Sequence, residues 1–124
     1  MPLAEHLVFL ISINTVFATV YQVGEDKKSI NVQKGDTIDV VLAENPTTGY
    51  IWIMSLANPA DKEVLQEIKK SFLKAKSKMV GVPGFIHYEV KAIEKGSAKI
   101  QGINTRPWQK DDVITTFEMD VVVK

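Results

Sequence analysis

Few residues in this chain are equipped for chemistry. Its 124 residues include two histidines and no cysteine. Composition alone therefore removes a thiolate nucleophile, a disulfide and a cysteine-based metal site. His6 lies near the N-terminus, and His87 alternates with Phe85 and Glu89 in "FIHYEV". That pattern reads as a histidine on a strand surface rather than a general base. One histidine of this kind leaves little for zinc, and no carboxylate spacing suggests another metal site. Asp111-Asp112 and Glu25-Asp26 read as turn residues, not as a paired-carboxylate acid and base. No glycine-rich phosphate loop joins a strand to a helix. The expectation is a protein that is not an enzyme, with no catalytic residue, no cofactor and no metal.

What stands out is three short connections. The first is Asn45-Pro46-Thr47-Thr48-Gly49-Tyr50. Pro46 fixes its own backbone and pushes Asn45 into an extended conformation, while Gly49 permits a positive φ at re-entry to the next strand. The second is Gly81-Val82-Pro83-Gly84. The third is Arg106-Pro107-Trp108, followed by Gln109. Arg and Trp are among the side chains that most often dominate interfaces. The competing reading of Trp108 is a core residue near a strand end.

The elements that must hold these connections follow period two. Residues 28–33 place Ile30 and Val32 on one face, and residues 37–44 place Ile38, Val40 and Leu42 on one face with Asp39 opposite. Residues 50–56, "YIWIMSL", are β-branched and aromatic, as in a central strand buried on both sides. Residues 85–93 alternate Ile86, Tyr88 and Val90 against Phe85, His87 and Glu89. Residues 97–105 follow the tight turn at 94–96, and residues 113–123 bring Phe117, Met119 and Val121 into register. Short strands separated by turn signals predict an all-β antiparallel sandwich. One segment is ambiguous. Val64, Ile68 and Phe72 recur every fourth residue in 63–76, which favours a helix slightly, yet the same three fall on one face of a strand. The lysines at 69, 70, 74, 76 and 78 read as a solvated face.

Hydrophobic residues make up 45% and charged residues 24% of the chain, as in one globular domain. Fifteen basic residues balance fifteen acidic ones, which leaves no basic footprint for nucleic acid. Residues 7–18 are mostly apolar, too short to span a bilayer and of the length of a signal-peptide core, with Ala18 an acceptable cleavage residue. The stretch before it lacks Lys and Arg and carries Glu5, so a first element of the mature fold is the alternative. The expectation is a signal peptide over 1–18 and one domain over 19–124. The protein would then reside in secretory or endolysosomal vesicles or the medium, and in the cytoplasm if the segment is not a leader.

In an immunoglobulin-like sandwich, alternate connections gather at one end. If 63–76 contributes a strand, the three connections become B–C, D–E and F–G and emerge together. At this point the chain resembles the chagasin-like inhibitors of papain-family cysteine peptidases, which carry an NPTTG(Y/F) loop, a GxGG loop and an RPW/RPF loop in this order. The first is intact at Asn45 to Tyr50 and the third at Arg106 to Trp108. The second keeps Gly81 and Gly84 but has Pro83 where the family usually has Gly. The resemblance spans roughly residues 28 to 123. It implies an immunoglobulin-like antiparallel β-sandwich of about seven to eight strands, with a strand within 63–76, and a monomer. It also implies tight, reversible, non-covalent inhibition of papain-like peptidases. The 45–50 loop would enter the catalytic cleft, and the 81–84 and 106–109 loops would flank it. Neither nucleic acid nor membrane is an expected partner. An immunoglobulin-like module recognising some other target is the competing function.

Overall fold

A computed structural model describes residues 18–74 and 84–124. Among these residues, eight strands form two four-stranded sheets. The first sheet contains β1 (Val20–Val23), β3 (Thr37–Glu44), β6 (Gly84–Ala92) and β5 (Leu65–Leu73), in the order β1-β3-β6-β5. The second contains β2 (Ser29–Val32), β8 (Gln109–Val123), β7 (Gly96–Arg106) and β4 (Ile51–Leu56), in the order β2-β8-β7-β4. The long pairings β3–β6, β5–β6, β4–β7 and β7–β8 are antiparallel, as expected. The short outer strands β1 and β2 join in parallel, on β3 and β8.

Alternation explains the core. Ile38, Val40 and Leu42 of β3 and Tyr88 and Val90 of β6 are wholly buried from one sheet. Ile100 of β7 with Met119 and Val121 of β8 are wholly buried from the other, beside Met54 of β4. Burying one such side chain stabilises by about 1.5–3 kcal/mol, so this layer dominates folding. Gly102 gives close passage between them: a Cβ there would lie 2.4 Å from the Met54 sulfur.

Four local expectations need correction or refinement. Residues 63–76 are not helical where described. A short 3-10 turn (Pro59–Glu63) leads into β5, which carries a bulge between Glu67 and Lys69. Val64 is buried, whereas Ile68 and Phe72 are 52% and 39% exposed, so the four-residue repeat marks no common buried face. β4 is an edge strand, not a central one. Ile53 faces outward opposite Ile103, and both stay partly exposed, so its apolar run reflects a hydrophobic outer face rather than double burial. His87 is largely covered: its side chain is 18% exposed, with Nδ1 3.0 Å from Asp39 Oδ2. Asp111 and Asp112 belong to strand β8 rather than to a turn.

Register places the candidate connections. Glu44 at the end of β3 lies beside Gly84 at the start of β6, and Leu73 at the end of β5 lies beside Phe85. In the other sheet, Ile51 at the start of β4 lies beside Thr105 near the end of β7. The two sheets are stitched at this end. The carboxylate of Glu44, 6% exposed, accepts the backbone N–H of Trp52, and the Trp52 indole donates to the Ala43 carbonyl at 3.0 Å. All three interstrand connections therefore start and finish at one end of the sandwich.

Candidate functional site

Asn45 begins the first connection in an extended conformation, as the following proline requires. Pro46–Thr48 form one 3-10 turn, and Gly49 closes it at φ 85°. Internal hydrogen bonds fix the corner. The Asn45 side-chain oxygen accepts the Thr47 hydroxyl at 2.6 Å and the Thr47 backbone N–H at 3.3 Å. The Thr48 hydroxyl donates to the Asn45 carbonyl at 2.7 Å and accepts the Tyr50 N–H at 3.3 Å. Both hydroxyls are thus committed inside the loop. What this exposed tip offers a partner is chiefly threonine methyl groups and backbone.

The third connection packs against the first. Pro107 and Trp108 make a two-residue turn between β7 and β8. Arg106 donates its Nε–H to the Thr48 carbonyl at 3.2 Å and lays its guanidinium 4.4 Å from the centre of the Tyr50 ring. Such stacking adds to a hydrogen bond because the guanidinium is planar and weakly hydrated. Trp108 is 69% exposed, which decides against a core role. Its ring edge leans on Gly49: a Cβ there would sit 2.6 Å from Trp108 Cη2.

Gly49 therefore has two reasons to be glycine. A side chain would be strained by the left-handed backbone and would displace the indole. Gly49→Ala is expected to cost about 1–2 kcal/mol of stability through left-handed strain, read as a lower melting temperature. An unchanged melting temperature would show that the corner does not require glycine.

One participant is absent from the three motifs. Asp112 of β8 accepts the Tyr50 hydroxyl on Oδ1 at 2.7 Å and Arg106 Nη1 on Oδ2 at 3.3 Å. The Tyr50 phenol is pushed above its ordinary range, first by this hydrogen bond and then by burial, while Arg106 pulls the other way. The Thr105 hydroxyl donates to the Asp112 backbone carbonyl at 2.9 Å, which anchors the main chain that carries the carboxylate. The available signal was positional: a carboxylate six residues after Arg106, on the strand returning from a tight turn, falls near that arginine.

Of the sequence-derived site residues, the structure joins Asn45, Pro46, Thr47, Thr48, Gly49 and Tyr50 with Arg106, Pro107 and Trp108. Gly81, Val82 and Pro83 lie outside the described residues. Gly84 opens β6 at the same end, where a Cβ would meet the Leu73 carbonyl oxygen at 2.3 Å. No group of three metal-binding side chains converges among the described residues. His87 lies on β6 opposite Val41, three pairs along from Glu44. The described site is a braced projection whose polar groups satisfy one another. Its chemistry is that of a surface made to be bound.

Comparison with known proteins agrees with that geometry. Amoebiasin-2 of Entamoeba histolytica is 26% identical over 123 residues, covering 97% of this chain and 98% of the relative. The crystal structure of the cysteine protease inhibitor EhICP2 from Entamoeba histolytica superposes with a TM-score of 0.76 at 21% identity, over 89% of this chain and 100% of that one. PbICP-C, in a structure with falcipain-2, gives a TM-score of 0.52 at 18% identity, over 90% of this chain and 95% of that one. These two structures share the fold. The sequence model described as "Chagasin family peptidase inhibitor I42" matches residues 31–121, so the chain belongs to the chagasin family of peptidase inhibitors, not to a family of enzymes.

Proposed function

We propose that this chain is a reversible, non-covalent inhibitor of papain-like cysteine peptidases, with the 45–50 tip seated in the catalytic cleft and Arg106, Pro107 and Trp108 gripping beside it. The observation that carries this reading is the internally bonded tip with an exposed indole lying against it. A wedge for a narrow cleft should be narrow and already ordered, because immobilising a loose loop opposes binding. PbICP-C forms a complex with falcipain-2, which supports the same class of target here. In sequence the 81–84 segment leads into β6, whose first residue, Gly84, pairs with Glu44 next to the tip, and it would supply the second flank. Pro83 removes one backbone donor there, so any strand-like pairing with an enzyme is reduced or shifted.

Titration against papain tests the reading. Expected are one-to-one inhibition, recovery of activity on dilution and an intact chain by mass spectrometry. Steady cleavage of the chain with no loss of peptidase activity would refute it.

The proposal extends to location. Residues 1–18 act as a signal peptide that directs the domain to vesicles or the medium. Support comes from the apolar run 7–18 and from how the domain begins. Thr19 donates its backbone N–H to Asp36 Oδ1 at 3.0 Å, and Thr37 donates to the Thr19 carbonyl at 2.9 Å. Cleavage after Ala18 would leave an α-amino group at that buried carboxylate, a charge-assisted bond. Protein recovered from its native cell is expected to begin at or near Thr19. N-terminal sequencing that finds residues 1–18 intact on cytosolic protein would reject the leader.

A further inference from the structure

The geometry points to Asp112, a residue outside the three loops, as the positioning residue that locks the 45–50 tip and the Arg106–Trp108 turn into one preformed wedge. This rests on the inhibitory reading above. Asp112 already works within the chain. Its two carboxylate oxygens are occupied within the chain, Oδ1 by the Tyr50 hydroxyl and Oδ2 by Arg106 Nη1. The two residues it holds come from distant parts of the sequence and stack on each other, with Arg106 reaching on to the Thr48 carbonyl. One carboxylate thus closes a circuit from β8 through Tyr50 and Arg106 to the backbone of the tip. Without it, the Arg106 bond to the Thr48 carbonyl, the Arg106 stacking on Tyr50 and the Trp108 ring against Gly49 remain, but no carboxylate fixes the arginine and the phenol relative to each other. Both loops would then have to be ordered when the enzyme is engaged, which weakens affinity without removing any contact to the enzyme. Asp112 is also fixed from behind through its carbonyl by Thr105, whose side chain is buried.

The test uses the full chain, papain and three variants. Asp112→Ala is expected to raise the inhibition constant roughly tenfold, about 1.4 kcal/mol. Tyr50→Phe is expected to raise it less, and the double variant to be no worse than Asp112→Ala alone, because both act through one circuit. Alkaline difference titration supplies a readout independent of any peptidase. In Asp112→Ala the Tyr50 phenol should fall back toward its ordinary range near pH 10. Additive losses in the double variant would overturn the proposal. So would an unmoved phenol titration, or a melting temperature that falls while the folded fraction inhibits normally. If wild-type protein fails to inhibit papain, the inhibitory reading fails instead, and the titration still reports on the clamp.

Discussion

Thr48→Asp is expected to raise the inhibition constant at least 100-fold while leaving the sandwich folded. Thr48 is the later and more central threonine of an exposed tip, with no core side chain near it in sequence until Trp52. In the complex the substituted carboxylate would face the catalytic thiolate in a desolvated cleft. An unpaired buried charge costs about 3–5 kcal/mol, and each 1.4 kcal/mol is tenfold in affinity. A second effect acts in the same direction. The Thr48 hydroxyl donates to the Asn45 carbonyl, and a carboxylate cannot. The corner would therefore loosen as well. Thr48→Val separates the two effects: it loses the donor without adding charge and should weaken inhibition far less. A folded Thr48→Asp protein that inhibits like wild type would remove this loop from the cleft.

Trp108→Ala should produce the next largest loss, and it should be a loss of binding alone. The indole is 69% exposed in the free chain, so little buried area disappears on truncation. Stability should change by no more than about 0.5 kcal/mol, as for surface substitutions. As an interface anchor, Trp108 should contribute on the order of 2 kcal/mol or more, which raises the inhibition constant roughly 30-fold. Melting temperature and inhibition constant measured on the same sample distinguish this from a packing role. A large drop in melting temperature with normal inhibition by the folded fraction would contradict the anchor.

The strands β3, β6 and β8 were legible because their inward positions alternate without interruption: Ile38, Val40 and Leu42, then Ile86, Tyr88 and Val90, then Phe117, Met119 and Val121. The corner at 45–50 was legible because Pro46 restricts the backbone and Gly49 permits a positive φ, and both do so here. Trp108 was not settled by sequence, since an aromatic residue beside a strand end packs inward or outward with equal ease. β5 was obscured because a spacing of four serves helix and strand alike, and its bulge then removes the regular face. β4 misled because Ile51 and Ile53 occupy an outer face that usually carries polar residues. Asp112 escaped notice for a different reason. Its significance lies in distant partners, Arg106 across the hairpin and Tyr50 just before β4, and local composition marks it only as half of an acidic pair.

The proposed function stands or falls on the 45–50 tip occupying the catalytic cleft. The most direct measurement is the rate at which a small electrophile alkylates the papain active-site thiol, with and without saturating inhibitor. If the tip fills the cleft, alkylation should all but stop at one-to-one saturation and resume as the complex is diluted. Thr48→Asp protein, at the concentrations that saturate with wild type, should leave the thiol reactive. A thiol alkylated at its normal rate in a complex saturated with wild-type chain would contradict the account, since the peptidase would then be bound somewhere other than its catalytic cleft.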